Sequence, residues 1–151
     1  MPPFKLLSCE QSRELDRKTI EQGYATGEEL MRRAGKAIAA RVVEVCQTRQ
    51  FSKEILLLAG KGNNGGDAFV TALYLHHAGF DPKILLTTPL ENIRAEALVH
   101  FKKLEKLPIP VASALKIQEI KMVLTQFKGD VIVDGLLGTG FKPPLSDFYR
   151  E

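Results

Sequence analysis

The chain has 151 residues, 44% hydrophobic and 26% charged, which is one domain's worth of chain with enough apolar material for a core and excludes whole-chain disorder. Lys and Arg number 21 against 18 Asp and Glu, a net charge of +3, mildly basic and far from the dense basic stripe of a nucleic-acid binder. The apolar runs, such as residues 55–59, are too short to cross a bilayer, and the N-terminus lacks the apolar stretch of a secretory signal. The expectation is a soluble, cytoplasmic protein with neither a nucleic-acid nor a membrane partner. Cys9 and Cys46 fit no zinc or CxxC spacing and are expected to be reduced, buried, small apolar side chains.

In chain order, Ser8 and Gln11 form a capping-box pattern for a first helix that ends at Gly23. Thr26 caps a second helix, with Glu28 and Glu29 in its favourable first turn. Leu30, Met31, Ala34, Ile38, Val42 and Val45 form its apolar stripe, and Arg32, Arg33, Lys36 and Arg41 its solvated flank. Residues 54–59 read as a strand buried on both faces, followed by a glycine-rich turn over residues 60–66. Residues 67–78 read as a helix ended by Gly79, and residues 82–88 as a second strand. Ile93, Ala97, Leu98, Phe101 and Leu104 give a helical stripe in which His100 is a surface or boundary residue. Residues 109–111 suggest a short strand that its proline pushes to an edge. Ile117, Ile120, Leu124 and Phe127 mark another helix, and residues 130–134 the last strand.

Strands alternating with helices imply parallel βαβ units. The fold class is α/β: a Rossmann-like three-layer α/β/α sandwich with a mostly parallel sheet, preceded by an N-terminal helical arm. Ligands of such sheets sit beyond the carboxyl ends of the strands, which directs attention to two segments. Gly60-Lys61-Gly62-Asn63-Asn64-Gly65-Gly66-Asp67 satisfies G-x-G-x-x-G between a strand and a helix. Its glycines permit positive φ and let backbone N–H groups approach a phosphate. An ordinary dehydrogenase would also need an acid at the end of the next strand, where this chain has Thr87-Thr88-Pro89.

The second segment is Val131-Ile132-Val133-Asp134-Gly135-Leu136-Leu137-Gly138-Thr139-Gly140. A carboxylate ending a buried strand is costly unless paired or bound to a cation; the alternative is an Asp that caps the next turn. Asn64 and Asp134 would offer hard oxygen ligands suited to an alkali or alkaline-earth cation. No His/Cys cluster competes, since His76 and His77 are neighbours that cannot share a helix face.

These segments resemble the NAD(P)H-hydrate epimerases, the YjeF N-terminal domain family. The match rests on Leu15-Asp16, Ile20-Glu21-Gln22-Gly23, Leu30-Met31-Arg32-Arg33-Ala34-Gly35, the Asn-Asn-Gly-Gly-Asp run at 63–67, and residues 133–140 followed by Pro144-Leu145. The resemblance implies an isomerase that interconverts the R and S epimers of NADHX and NADPHX. A partner NAD(P)H-hydrate dehydratase, fused or separate, would then restore the S form to the cofactor. It implies substrate contacts from Asn63, Asn64, Gly65, Gly66 and Asp67, and from a second loop of Gly138, Thr139, Gly140, Phe141, Lys142, Pro143 and Pro144. It implies a potassium ion on Asn64 and Asp134, and makes a homodimer reasonable. Asp67 and Asp134 are the candidates for proton transfer, with a plain helix N-terminal carboxylate as the other role open to Asp67.

The chain departs from the family at Arg32 and Ala68. It also stops before an Asp-x-Pro-Ser-Gly-type segment that would add a substrate contact and a cation ligand. Residues 1–151 are therefore expected to be one epimerase-type domain, incomplete at its C-terminus. The alternatives are the N-terminal part of a bifunctional epimerase/dehydratase and a non-catalytic binding or scaffold module. The latter would be expected to lose the Asn-Asn-Gly-Gly-Asp run or Asp134, and this chain keeps both.

Overall fold

The computed structural model describes residues 6–93, 95–145 and 147–150. Strands β1 (Glu54–Ala59), β2 (Asp81–Leu86), β3 (Val111–Ser113) and β4 (Val131–Gly135) form one sheet in the order β3-β2-β1-β4, with every neighbouring pair parallel. The helices are α1 (Cys9–Glu21), α2 (Gly27–Arg49), α3 (Asn63–His77), α4 (Ala95–Leu104), α5 (Ile117–Gln126) and α6 (Asp147–Arg150). Among the described residues, no helix is long and apolar enough to cross a membrane.

The strands sort their side chains by parity, as a two-faced sheet requires. Ile55, Leu57 and Ala59 of β1, with Ile84 and Leu86 of β2, join the main core beneath α2, α3 and α4. Leu56, Leu58 and Leu85 face the other way and meet Ile120, Val123 and Phe127 on the α5 side. Helices thus cover both faces of the sheet, as expected.

The helix ends follow their caps. Ser8 and Gln11 complete the capping box of α1, and the Thr26 side chain accepts from the Glu29 N–H at the start of α2. Gly23 and Gly79 adopt φ of 73° and 76°, the left-handed conformation that turns the chain out of α1 and α3.

Several expectations shift. The third helix starts at Asn63, not Asp67, so the second half of the glycine-rich segment is its first turn. The second strand ends at Leu86, and the third begins after Pro110, which still contributes its carbonyl to the Ile84 N–H. On α2 the buried residues are Met31, Gly35, Ala39, Val42 and Cys46, while Ala34 is exposed. Small residues select that face because α3 packs tightly on it: a Cβ on Gly35 would strike Val70 and the Asp67 carbonyl. Arg32 stays partly exposed on the solvated flank and is held there by Glu29 at 2.7 Å and by the Tyr74 hydroxyl at 3.0 Å.

Leu124 is exposed, because α5 turns Ile120, Val123 and Phe127 inward. His100, expected at the surface or boundary, is 1% exposed. It shares the buried stripe of Ala97, Phe101 and Leu104, where α4 contacts both α2 and α3. Cys46 is buried as expected, but Cys9 is exposed, since α1 has no buried residue.

Candidate functional site

The strand order reverses at β1: the chain steps through β2 and β3 on one side and returns to β4 on the other. The crevice outside the carboxyl ends of β1 and β4 is therefore the switch point where parallel α/β sheets take ligands. Both segments singled out above leave the sheet there.

The two strand ends meet at backbone distance. The Gly60 N–H donates to the Gly135 carbonyl at 3.1 Å. A Cβ on Gly60 would run into the Leu136 carbonyl, and one on Gly65 into the Gly60 carbonyl. None of the three segment glycines 60, 62 and 65 has positive φ, which corrects the expectation that they supply left-handed backbone. Gly60 and Gly65 serve close approach; Gly62 is the N-cap of α3 and supplies no side-chain capping bond. Gly66 packs beneath Met31 and Ala97.

Asn64, in the first turn of α3, spans the crevice. Its Nδ2 donates to the Leu137 carbonyl at 2.6 Å. Its Oδ1 is turned to Gly138, where a Cβ would lie 2.9 Å from it. From the opposite wall, Asp134 Oδ1 accepts from the Leu136 N–H at 2.9 Å. Asn64 and Asp134 thus converge on residues 136–138, each with side-chain oxygen capacity left over. Among the described residues Asp134 is exposed rather than buried, since β4 there has β1 as its one neighbour. Its position is fixed by the turn it caps and not by relief of a burial cost.

Asp67 lies one helical turn beyond Asn64 and is half-buried, with its backbone carbonyl bound by the Thr71 hydroxyl at 2.7 Å. Burial, with a smaller contribution from the negative charge of Asp16, pushes its carboxyl up from 3.8 to about 6. The group is therefore poised to hold or release a proton near neutral pH.

Asn63 is exposed at the start of α3. Beyond Gly138, residues Thr139, Gly140, Phe141, Lys142, Pro143 and Pro144 form an exposed loop with a cis peptide between the two prolines. No hydrogen bond among the described residues ties Phe141, Lys142, Pro143 or Pro144 to Asn64 or Asp67. At the end of β2, the Thr87 hydroxyl reaches the Ala59 carbonyl at 3.3 Å, and no acid stands at the place a dehydrogenase would need one.

Two residues not assigned from sequence complete the surroundings, both on α1. Arg13 Nη1 donates to the Thr139 carbonyl at 3.0 Å, and Asp16 is the charge that acts on Asp67. The arm is therefore a third wall of the site. The available signal was the i, i+3 spacing that puts Arg13 and Asp16 on neighbouring positions of one helix surface.

Among the described residues no group of three or more His, Cys, Asp or Glu side chains could hold a metal ion. The donors present are amide, carboxylate and backbone oxygens, a set that suits a hard cation.

An open parallel sheet whose glycine-rich helix start faces a carboxylate-bearing strand end at the switch point defines an α/β domain with a crevice at its carboxyl edge. The chain belongs to the family of YjeF-related proteins: the family model "YjeF-related protein N-terminus" matches residues 27–151. A NAD(P)H-hydrate epimerase of Rhodopirellula baltica is 35% identical over 154 residues, which cover 100% of this chain and 58% of that protein. A bifunctional NAD(P)H-hydrate repair enzyme of Methanopyrus kandleri is 33% identical, over 93% of this chain and 28% of its own length. The crystal structure of the yeast protein YNL200c superposes with a TM-score of 0.79 at 28% identity, covering 97% of this chain and 62% of that one.

Proposed function

We propose that the protein is an NAD(P)H-hydrate epimerase, interconverting the R and S epimers of NADHX and NADPHX. The observation that carries this is Asp67: a half-buried carboxyl raised to about 6, one turn from the Asn64 bridge that joins both walls of the crevice. Epimerisation at a carbon bearing a hydroxyl requires reversible loss of that hydroxyl or ring opening, and each route needs a proton moved at a fixed place. Asp67 is the group that would move it, with Asp134 beside the opposite wall. Asn63, Gly65, Gly66 and residues 138–144 would line the substrate, the backbone N–H groups of the first α3 turn facing its anionic portion.

Asn64 and Asp134 would hold a potassium ion through their remaining oxygens. The bound ion would supply positive charge between two walls that otherwise carry carboxylates. The Methanopyrus relative supports a dehydratase as functional partner, in the same or a separate chain. The apolar side chains left exposed on and beside α1, Leu7, Leu15 and Ile20, support a homodimer. Two unpaired cysteines, one of them exposed, support a location in the cytoplasm.

The test is conversion of the R epimer of NADHX to the S epimer, followed by chromatography with the full-length protein. D67N should lower kcat by about a hundredfold or more and leave KM within a few-fold. Absence of conversion by the wild-type protein would sink the assignment, and an unchanged kcat in D67N would remove Asp67 from the chemistry.

A further inference from the structure

Two of the three basic side chains on α1 are neutralised within the helix. Arg17 pairs with Glu14 and Glu21 at 2.6 Å each, and Lys18 with Glu14 at 3.4 Å. Arg13 has no carboxylate within ion-pair distance among the described residues. It reaches across 126 residues of sequence to the Thr139 carbonyl instead. The carbonyl engages a single N–H, and a guanidinium has five in a rigid fork matched to phosphate oxygens.

The crevice beside it carries three carboxylates, against Lys61 in the glycine-rich segment and Lys142 further along the second loop. Asp16, Asp67 and Asp134 all border it, while a diphosphate brings further negative charge. The loop Gly138-Thr139-Gly140 has little side chain to offer and leaves room for an anion at its backbone; no atom lies within 4 Å of a Cβ placed on Gly140. Arg13 is held at the middle of that loop by a bond that orients its remaining donors and does not consume its charge.

We infer that Arg13 is a substrate-binding residue that grips the diphosphate of the dinucleotide, with the arm helix supplying this cation to a loop that has none at residues 138–140. The inference rests on the functional reading above. It assigns Arg13 to affinity and to choice of phosphate-bearing ligands, not to proton transfer.

The experiment measures binding of ADP-ribose and of adenosine to full-length wild-type protein, R13Q and R13K by calorimetry. ADP-ribose carries the diphosphate without the nicotinamide, and adenosine carries neither. Loss of a charge-assisted, two-pronged contact should weaken ADP-ribose about ten- to a hundredfold in R13Q and leave adenosine unchanged. R13K keeps the charge without the fork and should fall between. Equal ADP-ribose affinity in wild type and R13Q overturns the inference. So does an equal loss for both ligands, or R13K as weak as R13Q, since either would make Arg13 a strut of the arm. Failure of the wild-type protein to bind ADP-ribose at all would overturn the functional reading and the inference together.

Discussion

The glycine at the heart of the crevice can be tested by adding one methyl group. In Gly65→Ala the new Cβ meets the Gly60 carbonyl oxygen, a backbone atom at the end of β1 that cannot rotate away. The third position of α3 would itself prefer Ala to Gly by up to about 1 kcal/mol. Against that, forcing a methylene into a packed interior costs about 1–3 kcal/mol, and a backbone obstacle puts the cost at the top of that range. The net loss is about 2 kcal/mol. For a chain of this size that lowers Tm by about 4–8 °C. Gly27→Ala is the matched control: it also lies in the first turn of a helix, and its nearest neighbour would be the Glu96 Cγ at an ordinary 3.6 Å. It should be neutral or slightly stabilising. Thermal and urea unfolding of both variants decides the matter. A G65A protein as stable as G27A would refute the claim that close approach, and not loop flexibility, requires glycine here.

Three further outcomes are expected. The raised carboxyl of Asp67 destabilises the fold once ionised: its contribution is intact below pH 3.8 and lost as pH rises through about 6. The displacement is worth roughly 3 kcal/mol in full and about 1–2 kcal/mol after allowance for partial exposure. D67N should therefore gain stability over wild type by that amount between pH 4 and pH 7 in urea titrations; a constant difference would count against it. Burial holds the His100 imidazole below its usual 6.5, so the wild-type fold should lose stability as pH falls beneath that value, and H100Q should lose less. Parallel acid titrations of the two proteins would contradict this. Finally, the epimerase activity proposed above should fall when tetramethylammonium replaces potassium, and N64A and D134N should be low in both salts; wild-type rates indifferent to the cation would dismiss Asn64 and Asp134 as its ligands.

The order and type of the main elements were legible because each carries its own periodicity or cap: Ser8 with Gln11, Thr26, Gly79, and the apolar run at residues 54–59. What escaped depends on neighbours far away in sequence. His100 is polar by type, yet it sits at the right spacing in a stripe that two other helices cover, and its Nε2 finds the Glu28 carbonyl at 3.4 Å. The apolar stripe on α2 reads as Ala34 and Ile38, but the close contact with α3 favours Gly35 and Ala39, small residues that hydrophobicity ranks low. Asp134 looked buried because three apolar residues precede it. Only the strand order reveals that, among the described residues, β4 has a single partner.

The candidate site itself was legible for a topological reason. The glycine-rich segment and Asp134 are separated by two strands and three helices in sequence, and nothing local says that they meet. They meet because β4 returns to the free side of β1, which makes the loops after those two strands neighbours at the switch point. A β4 added beyond β3 would have carried Asp134 three strands away from Asn64, with the same local structure throughout. The arm obeys no such rule: α1 precedes the sheet, belongs to no βαβ unit, and buries no residue. Its place over the crevice is set by side-chain contacts such as Arg13 to Thr139, which is why Arg13 and Asp16 were the site residues that strand-and-helix reasoning could not reach.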